Sequence, residues 1–218
     1  MPNWITNVIQ APETVINALL SPADDNHEEP YVDFNNIVPM PENVFRGDLG
    51  RKEKEMFPGE LNWYGFGIAN WGTKWNACKT IRISEDRVSF QTAWSHPEPI
   101  IKALSEKFPE DTILVAYADE DLGYNFGVYE IKNGVITETA SIGEGSNIAC
   151  EFSSVLVWDR SYKEFIEENI DYAQDNPEEE LEKYQSELED YNDEMIQFKN
   201  HYPDVDFSNF KKVLDVGW

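Results

Sequence analysis

The alternation of apolar and polar residues predicts a sheet in the first two thirds of the chain. Strands are predicted at 4–9, 80–83, 88–94 and 112–118, and the last is apolar on both faces, as is typical of a strand inside a sheet. Apolar residues spaced by three and four predict two helices, one from Pro12 to Leu20 and one from Pro97 to Phe108. The order strand, helix, long insertion, strand, strand, helix, strand is the split β-α-β-β-α-β order of a ferredoxin-like fold.

A further hairpin is predicted after this core. Residues 124–131 and 135–140 alternate, and Lys132-Asn133-Gly134 joins them with the Asn-Gly pair that favours a tight turn. In the insertion, residues 34–41 are interpreted as a short extended apolar piece. Residues 61–71 are either a helix or a buried loop, because their periodicity does not decide between the two.

The chain beyond about residue 150 changes character and becomes acidic. It is interpreted as a short apolar piece at 155–158, a helix at 162–172, and an acidic helix with Asn176 as N-cap and Pro177 as first residue. One face of the acidic helix carries an apolar seam with coiled-coil-like spacing: Leu181, Tyr184, Leu188, Tyr191, Met195 and Phe198. The seam packs on its own domain or, as the alternative, forms a homodimer. The predicted class is α+β: a ferredoxin-like domain at 1–145 with an insertion at about 22–76 and an extra hairpin, then an acidic C-terminal helical extension at 146–218.

The charge limits the classes of partner. The 218 residues include 42 acids and 17 bases, for a net charge of −25. Such a field repels nucleic acid and anionic membranes and favours a protein with a basic surface. The N-terminal residues lack the pattern of a signal peptide, and the longest apolar run, 113–118, is too short to span a bilayer. A cytoplasmic protein is therefore predicted. Cys78 and Cys150 form no metal-binding spacing, and free thiols are expected, with a single disulfide as the alternative.

Four short motifs occur in a fixed order along the first half of the chain. They are Met1-Pro2-Asn3-Trp4, Phe34-Asn35-Asn36-Ile37-Val38-Pro39-Met40-Pro41, Asn70-Trp71-Gly72-Thr73-Lys74-Trp75-Asn76-Ala77 and Phe90-Gln91-Thr92-Ala93-Trp94-Ser95. As a set they resemble the YubB ferredoxin-like family of phages and conjugative plasmids, over about residues 1–127. The resemblance implies a ferredoxin-like fold, a mobile-element origin and a bacterial host, but no activity. The chain departs from the family where His96 separates Ser95 from Pro97, and in the added acid of residues 119–124.

Catalysis is not predicted. Ser95 and His96 are neighbours in sequence, which rarely orients two side chains as a catalytic dyad. Asp119, Glu120 and Asp121 lack the spacing of a calcium loop. No catalytic residue, metal site or cofactor is therefore assigned.

The first functional hypothesis concerns the acidic helix. Residues 178–194 would span about 25 Å of helix with one negative charge every ~3 Å, close to the ~3.4 Å per charge of one DNA strand. An ordinary solvated helix face often carries a similar charge pattern and is the alternative. Together with the mobile-element origin that the resemblance implies, this spacing favours a phage or plasmid accessory protein that binds and inhibits a host nucleic-acid-handling or defence protein by mimicking DNA. The predicted partner-binding residues are Glu178, Glu179, Glu180, Glu182, Glu187, Glu189, Asp190, Asp193 and Glu194.

The alternative hypothesis, from another class, is an enzyme or small-ligand binder with a pocket lined by tryptophan. Aromatic walls with a cation suit nucleotides and other planar anions. The candidate pocket residues are Trp71, Lys74, Trp75, Trp94 and His96. Against it stands the interpretation of these tryptophans as ordinary core residues.

Overall fold

The structure is a computed structural model that describes residues 2–138, 142–176 and 181–201. These residues fall into two compact units, one within 1–116 and 128–139 and the other within 117–127 and 140–218. No helix in the described ranges combines the length and the apolar composition needed to cross a bilayer.

A six-stranded sheet forms the centre of the fold. Its strands, in chain order, are β1 (Trp4–Gln10), β4 (Cys78–Ser84), β5 (Arg87–Ala93), β6 (Ile113–Asp119), β7 (Gly127–Lys132) and β8 (Val135–Glu138). Their order across the sheet is β4-β5-β1-β6-β7-β8, and β5 pairs antiparallel with both β1 and β4. The four strands β4, β5, β1 and β6 lie side by side in the order of the ferredoxin-like fold that was predicted from the sequence. The predicted hairpin adds β7 and β8, with Asn133 and Gly134 at positive φ as a tight turn requires.

Two helices bury their apolar stripes in the first unit. Helix α1 (Glu13–Leu19) contributes Val15, Ile16 and Leu19, and helix α4 (Glu98–Lys107) contributes Ile100, Ile101 and Leu104. All six side chains are fully buried. The spacing of three and four in the sequence thus identified the buried faces of both helices.

The insertion between α1 and β4 is mostly irregular, with short helical turns. A two-stranded sheet pairs β2 (Leu20–Ser21) with β3 (Tyr31–Val32). The prediction of an extended piece at 34–41 is wrong at its start, because the side chain of Asp33 accepts from the Asn35 N–H and begins a 3₁₀ turn at Phe34–Asn36. Helix α2 (Arg51–Met56) follows, then a 3₁₀ turn at Gly59–Leu61, and helix α3 (Trp63–Phe66) continues as a π-helical turn at Gly67–Trp71. Residues 63–71 are therefore helical, whereas Asn62 before them is extended and pairs with Phe45 in an isolated bridge.

The second unit is mainly helical. Its helices are α5 (Asn147–Trp158), α6 (Tyr162–Asp175) and α7 (Leu181–His201). The interpretation of 155–158 as a separate apolar piece is wrong, since these residues are the end of α5, which Ser146 caps by accepting from the Ala149 N–H. The predicted start of the acidic helix at Pro177 lies outside the described residues, and Asn176 ends α6 instead.

Helix α7 packs against α5 and α6 of its own unit. Tyr191 on its apolar seam is buried, and the other five seam residues are half-buried. The homodimer through the seam stays a prediction.

Candidate functional site

A cavity of about 460 Å³ lies in the insertion of the first unit. Its volume falls in the range of ligand pockets. Three indoles, two cations, two amides and one thioether surround it: Trp63, Trp71, Trp75, Lys74, Arg46, Asn35, Asn76 and Met40. Of the five residues predicted to form a pocket, the structure brings Trp71, Lys74 and Trp75 together here.

Local backbone geometry places the aromatic residues. The side chain of Asn62 caps α3 by accepting from the Gly65 N–H, and Gly65 passes so close to Gly59 that a Cβ would overlap its carbonyl oxygen. The π-helical turn then ends at Gly72, whose φ of 75° lies in the left-handed region. This reversal leads the chain from Trp71, on the inner side of the cavity, to Lys74 and Trp75.

The three indoles differ in their degree of burial. Trp71 is only 5% exposed, donates from Nε1 to the Val38 carbonyl oxygen at 2.9 Å, and meets Phe34 and Phe66 edge to face. Trp75 is 37% exposed. The core interpretation therefore applies to Trp71, which forms the inner wall of the cavity, while Trp75 offers a partly open ring.

The two cations have different roles. Both terminal nitrogens of the Arg46 guanidinium donate to backbone carbonyl oxygens, from Nη2 to Met40 and Pro41 and from Nη1 to Glu42 and Val44. Arg46 thus holds the loop that forms one rim of the cavity. Lys74 instead places Nζ over the Trp75 ring, 4.2 Å from its centroid, in a cation–π contact.

The amides in the wall hold a carboxylate behind it. Both Asn35 and Asn76 donate from Nδ2 to Asp33 Oδ1, each at 2.8 Å. Partial burial raises the pKa of Asp33, but these bonds, the Asn35 backbone N–H and the Ser21 hydroxyl outweigh it and lower the pKa below its ordinary value. The amides therefore maintain the wall around an ionised Asp33.

Trp94 and His96 do not line this cavity, which corrects the prediction for both. Strand β5 ends at Ala93, and Trp94 adopts a left-handed φ of 73° that breaks the alternation of the strand. Its indole is 52% exposed instead of facing inward with Val88 and Phe90.

His96 is half-buried and bonds to buried side chains of the first unit. Its Nδ1 lies 2.8 Å from Asn7 Oδ1, and its Nε2 lies 2.6 Å from the Tyr129 hydroxyl. Asn7 Nδ2 donates to the Ile5 carbonyl and to the Thr92 hydroxyl, so its Oδ1 accepts from His96. Nδ1 then carries the proton and Nε2 accepts from Tyr129. Loss of surrounding water lowers the pKa of His96 to about 3, which leaves a neutral ring.

The acidic residues of α7 divide into two groups. Glu187 accepts from the Tyr162 hydroxyl at 2.6 Å, and Glu194 accepts from the backbone N–H and the side chain of Asn147. These two carboxylates are thus held inside the helical unit. The acids on the opposite face are exposed: Glu182, Glu189, Asp190 and Asp193. The remaining predicted partner-binding residues, Glu178, Glu179 and Glu180, lie outside the described residues.

The described residues include two cysteines and several side chains of the types that bind metal ions. Cys78 and Cys150 are both free and half-buried, and burial raises the pKa of each thiol. Among the residues that the structure describes, no three His, Cys, Asp or Glu side chains group as a metal site would require.

One family model and one solved structure are similar to this chain. Residues 70–159 match the family model described as the ferredoxin-like domain in Api92-like protein. Among solved structures, the chain is similar to protein api92 from Yersinia pseudotuberculosis, with 16% identity and a TM-score of 0.32, over 53% of this chain and 43% of that chain. The chain therefore spans less than half of that protein. No curated protein matches the chain.

The family match confirms the ferredoxin-like fold. It covers the segment from Asn70 to the end of α5, whereas the resemblance to the YubB family was expected over about residues 1–127. The YubB name and the mobile-element origin stay predictions.

Proposed function

We propose that this chain is a non-catalytic binding protein whose tryptophan-lined cavity takes a small planar anion. The observation that carries the proposal is one cavity wall that combines Trp63, Trp71 and Trp75 with the cations Lys74 and Arg46. Indole faces bind flat rings by stacking, and an ammonium group beside them adds attraction for a negative charge.

Two observations restrict the ligand. The cavity of about 460 Å³ suits a molecule the size of a mononucleotide or an aromatic acid. The net charge of −25 repels polyanions such as nucleic acid over long distances. A small ligand with one or two negative charges meets little of this repulsion and reaches the local positive charge of the wall.

A thermal-unfolding screen tests the proposal. Nucleoside monophosphates and aromatic carboxylates would each be added at increasing concentrations. When the concentration reaches about 100 times the dissociation constant, binding to the folded state stabilises it by about 2.7 kcal/mol. For a chain of this size, that free energy raises the melting temperature by about 5–10 °C.

Two variants locate the site. Trp75→Ala removes the open ring of the cavity and should abolish the shift, whereas Trp94→Ala removes an exposed indole elsewhere and should keep it. No shift with any compound in the screen, or an equal loss in both variants, contradicts the proposal.

The second candidate function uses the exposed face of α7. Glu182, Glu189, Asp190 and Asp193 lie opposite the face that packs on α5 and α6, and they extend over about 16 Å of helix. Such a strip favours a basic protein surface and increases the rate of association. A phage or plasmid accessory protein that inhibits a host nucleic-acid-handling or defence protein would use this face.

A pair of charge-matched variants tests the second candidate. One neutralises the four exposed acids of α7 to glutamine or asparagine. The control neutralises four exposed acids of the insertion: Asp25, Glu28, Glu29 and Glu42. The expected result is a host protein that the wild type and the control variant both retain at low salt and release at high salt. The α7 variant should not retain this protein at either salt concentration. Equal retention by both variants contradicts this function.

A further inference from the structure

The position of Lys74 has a consequence for ligand selectivity. Its ammonium lies 4.2 Å from the centroid of the Trp75 ring, and Trp75 is the most exposed indole of the cavity wall. That ring face is where a flat ligand would stack. Lys74 therefore occupies the place that the ring of a ligand needs.

The other polar groups of the wall have protein partners. Arg46 donates to four backbone carbonyl oxygens, and the amides of Asn35 and Asn76 bind Asp33. The ammonium of Lys74 contacts an aromatic face instead, which is a weaker partner than a carboxylate or phosphate oxygen. Lys74 is thus the polar group of the wall that gains most by turning toward an anion.

We propose that Lys74 determines the selectivity of the cavity by exchanging partners when a ligand binds. The ammonium moves from the Trp75 ring to the anionic group of the ligand, and the ring of the ligand takes its place on Trp75. The ligand class is an aromatic ring that carries one anionic group, as in a nucleoside monophosphate or an aromatic carboxylate. This inference rests on the proposed function and adds a selectivity determinant to it.

The exchange makes the two halves of the ligand depend on each other. An uncharged ring must displace Lys74 from Trp75 without offering it a new partner, so its affinity is reduced by the strength of the cation–π contact. An anion without a ring offers Lys74 a partner but leaves the face that Lys74 vacates on Trp75 without a stacked ring, since the neighbouring Trp4 ring is tilted by 36° to Trp75 at 6.2 Å between centroids. Only a ligand with both a ring and an anionic group gives Lys74 a new partner and also covers the Trp75 ring.

Calorimetric titration of wild type and Lys74→Met tests the exchange with matched pairs of probes. The pairs are adenosine 5′-monophosphate with adenosine, and 2-naphthoate with 2-naphthamide, so the two sources of a ring-bearing anion are distinguished. Lys102→Met is the control, because it removes the same charge from an exposed position on α4.

The expected result is an opposite change for the two members of a pair. Lys74→Met should weaken the charged member by about tenfold or more, since a charge-assisted hydrogen bond is lost. It should strengthen the uncharged member by about twofold to fivefold, since the ring of Trp75 becomes free. Lys102→Met should change neither by more than about twofold.

Each other result has a defined meaning. Charged probes that bind equally well to wild type and Lys74→Met overturn the role of Lys74 but leave the proposed function standing. Weaker binding of both members in Lys74→Met overturns the exchange, because it assigns to Lys74 only a contact with the ligand. Failure of all four probes to bind the wild type overturns the proposed function and this inference together.

Discussion

The imidazole of His96 makes the stability of the first unit depend on pH. The ring is neutral in the folded state, where Nδ1 donates to Asn7 and Nε2 accepts from Tyr129. Desolvation lowers its pKa to about 3, whereas in the unfolded chain an imidazole titrates near ~6.5. As the pH falls, the unfolded chain therefore takes up a proton before the folded protein does.

The sign and size of the effect follow from this difference. A base with a depressed pKa in the folded state contributes its full stability above about pH 6.5, and the contribution decreases as the pH falls toward about 3. Between pH 7 and pH 5 the unfolded chain becomes almost fully protonated at this site. With these two pKa values, the free energy of unfolding decreases by about 2 kcal/mol from His96 alone.

Urea unfolding followed by tryptophan fluorescence measures this decrease. Five of the seven tryptophans lie within the first unit, so the signal reports mainly on the part that contains His96. The wild type would be compared at pH 7 and pH 5 with His96→Gln, which cannot titrate, and with Tyr129→Phe, which keeps the imidazole.

The two variants should separate titration from hydrogen bonding. His96→Gln should lose about 2 kcal/mol less than the wild type between pH 7 and pH 5, because carboxylate titrations elsewhere cancel in the comparison. Tyr129→Phe should be less stable at both pH values by about 1–3 kcal/mol, since it removes the hydroxyl that donates to Nε2 of His96, but should keep the pH dependence. The same decrease in His96→Gln as in the wild type would refute the assignment of a neutral imidazole in the folded state.

Two further predictions concern stability. Gly134→Ala should destabilise the first unit by about 1–2 kcal/mol in urea unfolding, because φ is 73° and a Cβ would come within 2.7 Å of the Glu106 side chain. The control Gly143→Ala should change stability by less than about 0.5 kcal/mol, because a Cβ there would have nothing within 4 Å. Equal effects of the two substitutions would contradict the turn geometry. Glu151→Ala should destabilise the helical unit by about 2–4 kcal/mol, because Oε2 of Glu151 accepts from the Ser161 hydroxyl, the Tyr162 N–H and the Tyr191 hydroxyl. Circular dichroism during heating measures the loss of helicity. An unchanged unfolding temperature would show that these hydrogen bonds do not stabilise the unit.

The strands and the first two packed helices could be predicted from the sequence because their signals are local. Alternation with a period of two requires only that one face of a strand is buried, and the Asn-Gly pair at 133–134 determines its own turn. Helix α5 was missed because Ser153 and Ser154 interrupt its apolar pattern, although both are buried inside the unit. Its N-cap, Ser146, was the sequence signal that would have revealed it.

The cavity could be predicted only in part. Trp71, Lys74 and Trp75 are close in sequence, and residues this close along the chain are also close in space. Arg46 and Trp63 come from distant parts of the insertion, and only the closed loop, with the guanidinium of Arg46 bonded to four carbonyl oxygens, brings them to the same wall. Trp94 was wrongly included in the predicted pocket. Its own left-handed backbone conformation turns its side chain away from the predicted neighbours.

The acidic helix shows why a charge density read along a sequence overstates the charge that a partner would meet. Counting acids from residue 178 to 194 treats every carboxylate as equally available, but a helix presents residues 100° apart. Glu187 and Glu194 lie toward the packed side, where Tyr162 and Asn147 bind them. Within the described part of α7, the outward strip is therefore narrower than the count implies. A surface that imitates DNA needs its charges on one face, whereas a pocket needs only a few side chains in the right places, and the described residues of this chain meet the second requirement more completely than the first.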